Sequence, residues 1–305
     1  MKINIAKSSG FCFGVRRAIN ISKKVAASEK NVYVLGDIVH NTFVVKDLKK
    51  LGIKKIKNIV PSSNATLIVR AHGAPQKIFS KAKKCGYKIV DATCPKVKEI
   101  YKIARDLEKN NKIIIIGDNN HDEVKGIVGQ LNKKPLILES PSKVLKKDLS
   151  GLTKAAVITQ STQSIDNINT IMYKLKSIVP NVKLYNTTCK TTTIKQKEIQ
   201  DIPLKNDLVL IIGSKHSANT KRLYMISKKI NKKTRWIECS KDLKSSWFKD
   251  IKNVGIMAGA STPDYVTKEI VKEINRLSDH IRHCETRGKR ASRRNLKKAK
   301  LTCIY

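Results

Sequence analysis

The sequence predicts an α/β protein built from three similar units with mostly parallel strands, arranged pseudo-threefold about a common centre. Two observations carry that expectation. Short apolar runs such as "KIIIIG" and "LVLIIG" alternate with amphipathic segments such as "VKEIYKIARDLEKN", the pattern of repeated strand–helix units. A strand-like run ending in glycine, polar residues and histidine also occurs three times, which is the signature of an internal repeat.

The elements follow in order. The repeated first strands are "VYVLGDIVHN" (Val32 to Asn41), "IIIIGDNNHDE" (Ile113 to Glu123) and "LVLIIGSKHSAN" (Leu208 to Asn219). They place His40, His121 and His216 at what reads as one equivalent position. Further along each copy, a second apolar run ends in small polar residues: "LIVRAHGAPQ" with His72, "AAVITQSTQS" with Thr162, and "VGIMAGASTPD" with Ser261. Two copies then continue to a short strand ending in cysteine, "IVDATCPKV" (Cys94) and "LYNTTCKTT" (Cys189). The third copy lacks this step, and the opening stretch "INIAKSSGFCFGV" supplies it with Cys12. The expected division is therefore residues 13–95, 96–190 and 191–278 plus 1–12, followed by a basic tail at 279–305. In parallel sheets ligands gather beyond the carboxyl ends of the strands, where all these polar residues fall.

Bulk properties narrow the class. With 305 residues, 40% of them hydrophobic, the chain can bury a substantial core. No apolar run approaches the about 20 residues that span a bilayer, and "MKINIAKSSG" lacks the apolar stretch of a secretory signal. A soluble, cytoplasmic protein with no membrane association is the expectation. The net charge of +39 raises nucleic acid or phosphate-rich ligands as partners. Most of the excess is lysine scattered singly along the chain, however, and only "RGKRASRRNLKKAK" (Arg287 to Lys300) forms a cluster. Aromatic residues, at 5%, offer few base-stacking platforms. No specific nucleic-acid partner is expected.

Three cysteines at equivalent points of a repeat form the chemical signal. For any one of them, a buried small apolar side chain is the plainer reading. Structural zinc asks for a fourth ligand and usually close pairs. Thiolates drawn from three distant segments suit an iron–sulfur cluster. A cubane held by three of them leaves one iron open as a Lewis acid. Cys85, Cys239, Cys284 and Cys303 lack that context and read as structural or incidental. The histidines, serines and Asn219 suggest a pocket of hydrogen-bond donors for an anion. Glu123 is the one carboxylate among them; it reads either as a general acid or as a solvated residue at a helix start.

"GFCFGVRRAI", "VHN", "AHG", "DATCP", "HDEVKG", "TQST", "GSKHSANT" and "AGASTPD" occur in the order found in the 4-hydroxy-3-methylbut-2-enyl diphosphate reductase family, which the chain resembles over roughly residues 1 to 278. The resemblance implies a 4Fe–4S cluster held by Cys12, Cys94 and Cys189 with one open iron. It implies an allylic diphosphate substrate reduced to isopentenyl and dimethylallyl diphosphates, with ferredoxin or flavodoxin as electron donor. It further implies Glu123 as proton source and Thr162 as the residue orienting the substrate hydroxyl. His40, His72, His121, Ser217, Asn219 and Ser261 would hold the diphosphate, with His121 also in the proton relay. The cofactor would carry the redox chemistry while the protein orients and protonates.

Departures from the family pattern are Lys195 for Arg, Thr191 for Ala, Ser161 for Thr, His216 where Asn is common, and Ala218 for a hydroxyl residue. Lys195 keeps the charge but loses the guanidinium fork. The donor missing at Ala218 would weaken a charged hydrogen-bond set by roughly 1.5–3 kcal/mol.

Overall fold

The computed structural model describes residues 1–279. The chain opens with β1 (Lys2–Ile5) and α1 (Phe13–Ser28). Next come β2 (Val32–Leu35), α2 (Thr42–Lys50), β3 (Lys54–Ile56), β4 (Ala65–Val69), α3 (Gln76–Lys84) and β5 (Tyr87–Asp91). The middle of the chain forms α4 (Pro95–Glu108), β6 (Lys112–Ile116), α5 (Asp122–Val128), β7 (Leu136–Leu138), α6 (Lys146–Leu149), β8 (Lys154–Thr159), α7 (Ile165–Lys176) and β9 (Asn181–Tyr185). The last stretch holds α8 (Lys190–Asp201), β10 (Leu208–Ile212), α9 (Ala218–Ile230), β11 (Thr234–Ile237) and β12 (Asn253–Ala258), and a helix, α10, covers 264–279.

The strands form three four-stranded sheets, ordered β3-β2-β4-β5, β7-β6-β8-β9 and β1-β12-β10-β11. Every described pairing is parallel. Central strands covered by helices on both faces must be apolar throughout. Accordingly all five residues of β4 and of β10 are buried. β1 pairs with β12 at the edge that β5 and β9 occupy in the other two sheets, so the first strand of the chain completes the sheet built by the last segment.

The helices bind the three sheets into a ring. α1 packs Val15, Ala18 and Ile19 against Val32, Val34 and Ile68 of the first sheet. α4 begins beside that sheet but packs Val97, Ile100 and Ala104 against Ile113, Ile115 and Ile158 of the second. α8 in turn lays Ile199 on Val209, Ile211 and Met257 of the third. Fully burying one such aliphatic side chain stabilises by about 1.5–3 kcal/mol, so each helix is anchored to the sheet that follows its own start. Among the described residues no helix is long and apolar enough to cross a membrane. The basic cluster Arg287 to Lys300, with Cys284 and Cys303, lies outside the described residues.

Candidate active site at the threefold centre

The three helices that pass from sheet to sheet begin at the three repeated cysteines. Cys12 is the N-cap of α1, Cys94 of α4 and Cys189 of α8. Each cysteine amide donates to the carbonyl of one residue in the loop after the neighbouring strand: Cys94 to Ala71 (3.0 Å), Cys189 to Ser161 (2.9 Å) and Cys12 to Ala260 (3.0 Å). These bonds define equivalent positions. Their next residues, His72, Thr162 and Ser261, are counterparts too.

The cysteines meet at one cavity, with about 730 Å³ of empty space when its open mouth is counted. Its wall contains Cys12, Cys94, Cys189, His40, His72, His121, Glu123, Thr162, Ser217, Asn219 and Ser261, all of them singled out in the sequence. Gly14 is required by the crowding there, since a Cβ at that position would lie 2.5 Å from the Cys94 sulfur. Burial raises the Cys12 thiol, while the Val15 amide lowers it; the Cys189 charge raises it again and the Lys195 charge lowers it. Burial likewise raises the Cys94 thiol, the Lys96 and Val97 amides lower it, and the charges of Cys12 and Cys189 raise it. Thiols that oppose one another's ionisation become thiolates together only around a cation. Helix N-termini directed at such a group favour negative charge.

A histidine cluster occupies one side. The His40 and His72 rings stack with centroids 4.3 Å apart, and His121 stands edge-on at 5.5 Å from each. Burial lowers all three: His72 well below its ordinary value, His121 to about 4, and His40 in spite of the Asp122 charge. His121 Nδ1 accepts the Glu123 amide at 3.1 Å, so the neutral ring carries its proton on Nε2 and offers a donor there. Nitrogens of the three rings lie within 4.8 Å of one another, a spacing that can also hold a metal ion. The Nδ1 atom of His72 and the Nδ2 atom of Asn219 are buried without a protein partner. Buried polar atoms in this state call for a ligand or water.

Glu123 is 2% exposed, and its carboxylate receives the Ser161 amide and the Ser161 hydroxyl, each at 2.6 Å. Burial raises its pKa more than these bonds lower it. Thr162 lines the same cavity, and its hydroxyl accepts from Gln160 Nε2 at 2.9 Å. Ser161 is the residue that sequence reasoning passed over; its signal was its place in the "TQST" run one residue before Thr162.

The repeat also needs a correction. His216 is exposed and outside the cavity wall. Counting four residues from the strand-ending glycine, as from Gly36 to His40 and Gly117 to His121, leads in the third copy to Ser217 and not to His216. Ser217 is the N-cap of α9, as His121 is of α5. Lys195 is 1% exposed and is pushed down by burial to about 8, which leaves it protonated at neutral pH.

The LytB protein family matches residues 3–275. The 4-hydroxy-3-methylbut-2-enyl diphosphate reductase of Dictyoglomus thermophilum is 38% identical, covering 91% of this chain and 97% of its own. That of Trichlorobacter lovleyi is 34% identical, covering 92% and 99%. A solved structure of the (E)-4-hydroxy-3-methyl-but-2-enyl diphosphate reductase, described as the terminal enzyme of the non-mevalonate pathway, aligns with a TM-score of 0.67 at 34% identity over 90% of this chain and all of that one. The Plasmodium falciparum reductase structure aligns at 0.83 and 31% identity, over 89% and 87%.

Proposed function

The chain belongs to the LytB protein family, and from that premise we propose that its threefold cavity reduces (E)-4-hydroxy-3-methylbut-2-enyl diphosphate to isopentenyl and dimethylallyl diphosphates, the last step of the non-mevalonate isoprenoid pathway. The reaction consumes two electrons and two protons. One proton leaves with the hydroxyl oxygen as water, and the other ends on carbon. The observation that carries this reading is the trio of equivalent cysteine amide bonds to Ala71, Ser161 and Ala260, which points three thiols at one cavity.

The family is one of iron–sulfur enzymes, and the donor set here fits such a group: three thiols lining one cavity, each at a helix N-terminus, with Cys12 and Cys94 both raised by burial and by the charge of a neighbouring cysteine. Cys12, Cys94 and Cys189 would hold a 4Fe–4S cluster, leaving one iron without a protein thiolate. When bound, the cluster supplies electrons one at a time and a Lewis-acidic corner. Electrons would come from ferredoxin or flavodoxin, acidic carriers drawn to a chain of net charge +39.

The protein's own part is binding, orientation and proton supply. Unpartnered Asn219 Nδ2, the His121 Nε2 proton, Ser217 and Ser261 would grip the diphosphate, together with His40 and His72. Uncompensated phosphate oxygens favour protonated imidazoles, so binding draws protons onto rings that are neutral beforehand. Glu123 retains its proton to higher pH than an exposed carboxylate and serves as the proton source. Ser161 is the hydroxyl bonded to it, so Ser161 relays the proton while Thr162, next along the wall, orients the substrate hydroxyl. The test is turnover under anaerobic conditions, with the substrate and a low-potential dye as reductant. Formation of both product diphosphates is expected, and an iron-loaded protein that leaves the substrate untouched would overturn the reading.

A further inference from the structure

Cys94 and Cys189 follow their strands closely, after Ala92–Thr93 and residues 186–188. Those short connections fasten themselves. The Thr93 amide and hydroxyl donate to Asp91, and Thr187 exchanges hydrogen bonds with Thr159 in the neighbouring strand's end. Cys12 is different. It ends a longer loop, residues 6–11, which leads from β1. That loop takes its fastening from side chains of another helix.

The holding groups come from α8. Lys195 donates from Nζ to the Ser8 carbonyl and to the Ala258 carbonyl, the latter at 3.3 Å. One turn on, Glu198 accepts the Lys7 amide at 2.5 Å, the Ser8 amide at 2.9 Å and the Ser8 hydroxyl. The loop beyond is then stitched to β12: Ser9 Oγ accepts the Ala258 amide at 2.7 Å, and Gly10 donates to the Ala258 carbonyl at 3.2 Å, two residues before Cys12. A buried ammonium bonded to carbonyls holds a fixed position, because leaving those charge-assisted bonds unmade in the interior is expensive.

The threefold repeat supplies its own control. Lys195 lies six residues and Glu198 nine residues after Cys189. At the same offsets, α4 has Ile100 and Ile103, and α1 has Ala18 and Ile21, apolar residues that pack in the core. Of the three helices only α8, which faces the Cys12 loop, carries the charged pair. We propose that Lys195 and Glu198 form a clamp that positions the Cys12 loop and sets a fixed positive charge behind that corner of the site, so that Cys12 depends on residues for which Cys94 and Cys189 have no counterpart. Lys195 is a positioning residue here. It rests on the iron–sulfur reading only for its electronic consequence, since the clamp itself is a property of the chain.

The experiment compares the native protein with Lys195→Met, Lys195→Arg and Glu198→Gln. Hydrogen exchange is measured first on metal-free protein. Lys195→Met should speed exchange at the amides of residues 8–12 by about tenfold, the equivalent of one lost charged hydrogen bond. Amides at 92–94 and 187–189 should keep their native rates, Lys195→Arg should restore the loop, and Glu198→Gln should fall between. Unchanged exchange at 8–12 in Lys195→Met and Glu198→Gln overturns the clamp, and so does equal loosening of all three corners. In iron-loaded protein, Lys195→Met should shift the reduction potential to a more negative value and alter the reduced-state electron spin resonance, with Arg reversing both. A native potential and spectrum in Lys195→Met overturn the electrostatic part. Should the protein take up no iron, the exchange result still decides the clamp on its own. If Lys195→Met does not fold, Glu198→Gln carries the comparison: faster exchange at 8–12 with native rates at 92–94 and 187–189 supports the clamp, and native exchange at 8–12 overturns it.

Discussion

Two rings of side chains surround one cavity, and only one of them obeys the repeat. The lower ring is cysteine at all three points, each an N-cap, each with its amide bonded to the matching loop carbonyl. The upper ring comes from the neighbouring loops, yet its counterparts are His72, Thr162 and Ser261, and, four residues after each strand-ending glycine, His40, His121 and Ser217. Two residues past His121 and Ser217, Glu123 and Asn219 face the cavity as a carboxylate and an amide. Identical ligands suit an object with near-equivalent corners. Different side chains suit a substrate with a diphosphate at one end and a hydroxyl at the other. The repeat holds among the cysteines and lapses among the side chains that face them across the cavity.

Replacing the cysteines should give the largest effects and test the symmetry of the lower ring. Cys12→Ser, Cys94→Ser and Cys189→Ser should each lose most bound iron and all but background turnover. Cys85→Ser and Cys239→Ser should behave as native. One cavity cysteine that proved dispensable would break the equivalence. Glu123→Gln tests the asymmetry of the upper ring: iron content should stay native while turnover falls by about 10²–10⁴, the range for loss of a general acid. Native turnover in that variant would remove Glu123 from the proton path.

A smaller effect is expected at Ala218, which lines the cavity beside Ser217 without a hydroxyl of its own. Ala218→Ser adds a donor, and the substrate KM should fall by roughly 10- to 150-fold, the worth of one hydrogen bond to a charged group. An unchanged KM would place the diphosphate away from this wall. The smallest effect concerns pH. The depressed values of His40, His72 and His121 mean that the unfolded chain binds more protons than the native one below about 6.5, for His121 down to about 4. Stability contributed by these neutral rings is therefore present above pH 6.5 and lost as pH falls below it. Thermal melts of metal-free protein should show this slope, and His121→Gln should flatten it; an unaltered slope would mean the cluster is already charged. Glu123, whose pKa is raised, works in the opposite direction, which is why the variant comparison is needed.

Much of this was legible in the sequence because the repeat is written in residue types. The recurrence of apolar run, glycine and polar loop gave three parallel units, and the missing third cysteine led to Cys12; the pairing of β1 with β12 came from the structure. What stayed hidden was register and long-range contact. His216 matched the pattern by letter, but the turn after Gly213 brings Ser217 to the cap and leaves the imidazole exposed. Ser161 looked like a mild substitution until its hydroxyl was seen on Glu123. Lys195 read only as a lost guanidinium fork, whereas its ammonium makes two carbonyl contacts across 187 and 63 residues of sequence. Bonds at such separations have no signature in local spacing.

The central claim is that three distant thiolates share one inorganic cluster. Its most direct test is iron and acid-labile sulfide analysis of the protein purified and reconstituted without oxygen, beside the triple variant Cys12→Ser, Cys94→Ser, Cys189→Ser. The native protein should hold iron and sulfide equivalent to one 4Fe–4S cluster per chain, and the triple variant neither. A native protein free of iron after reconstitution, or a triple variant that binds it equally well, would contradict the account.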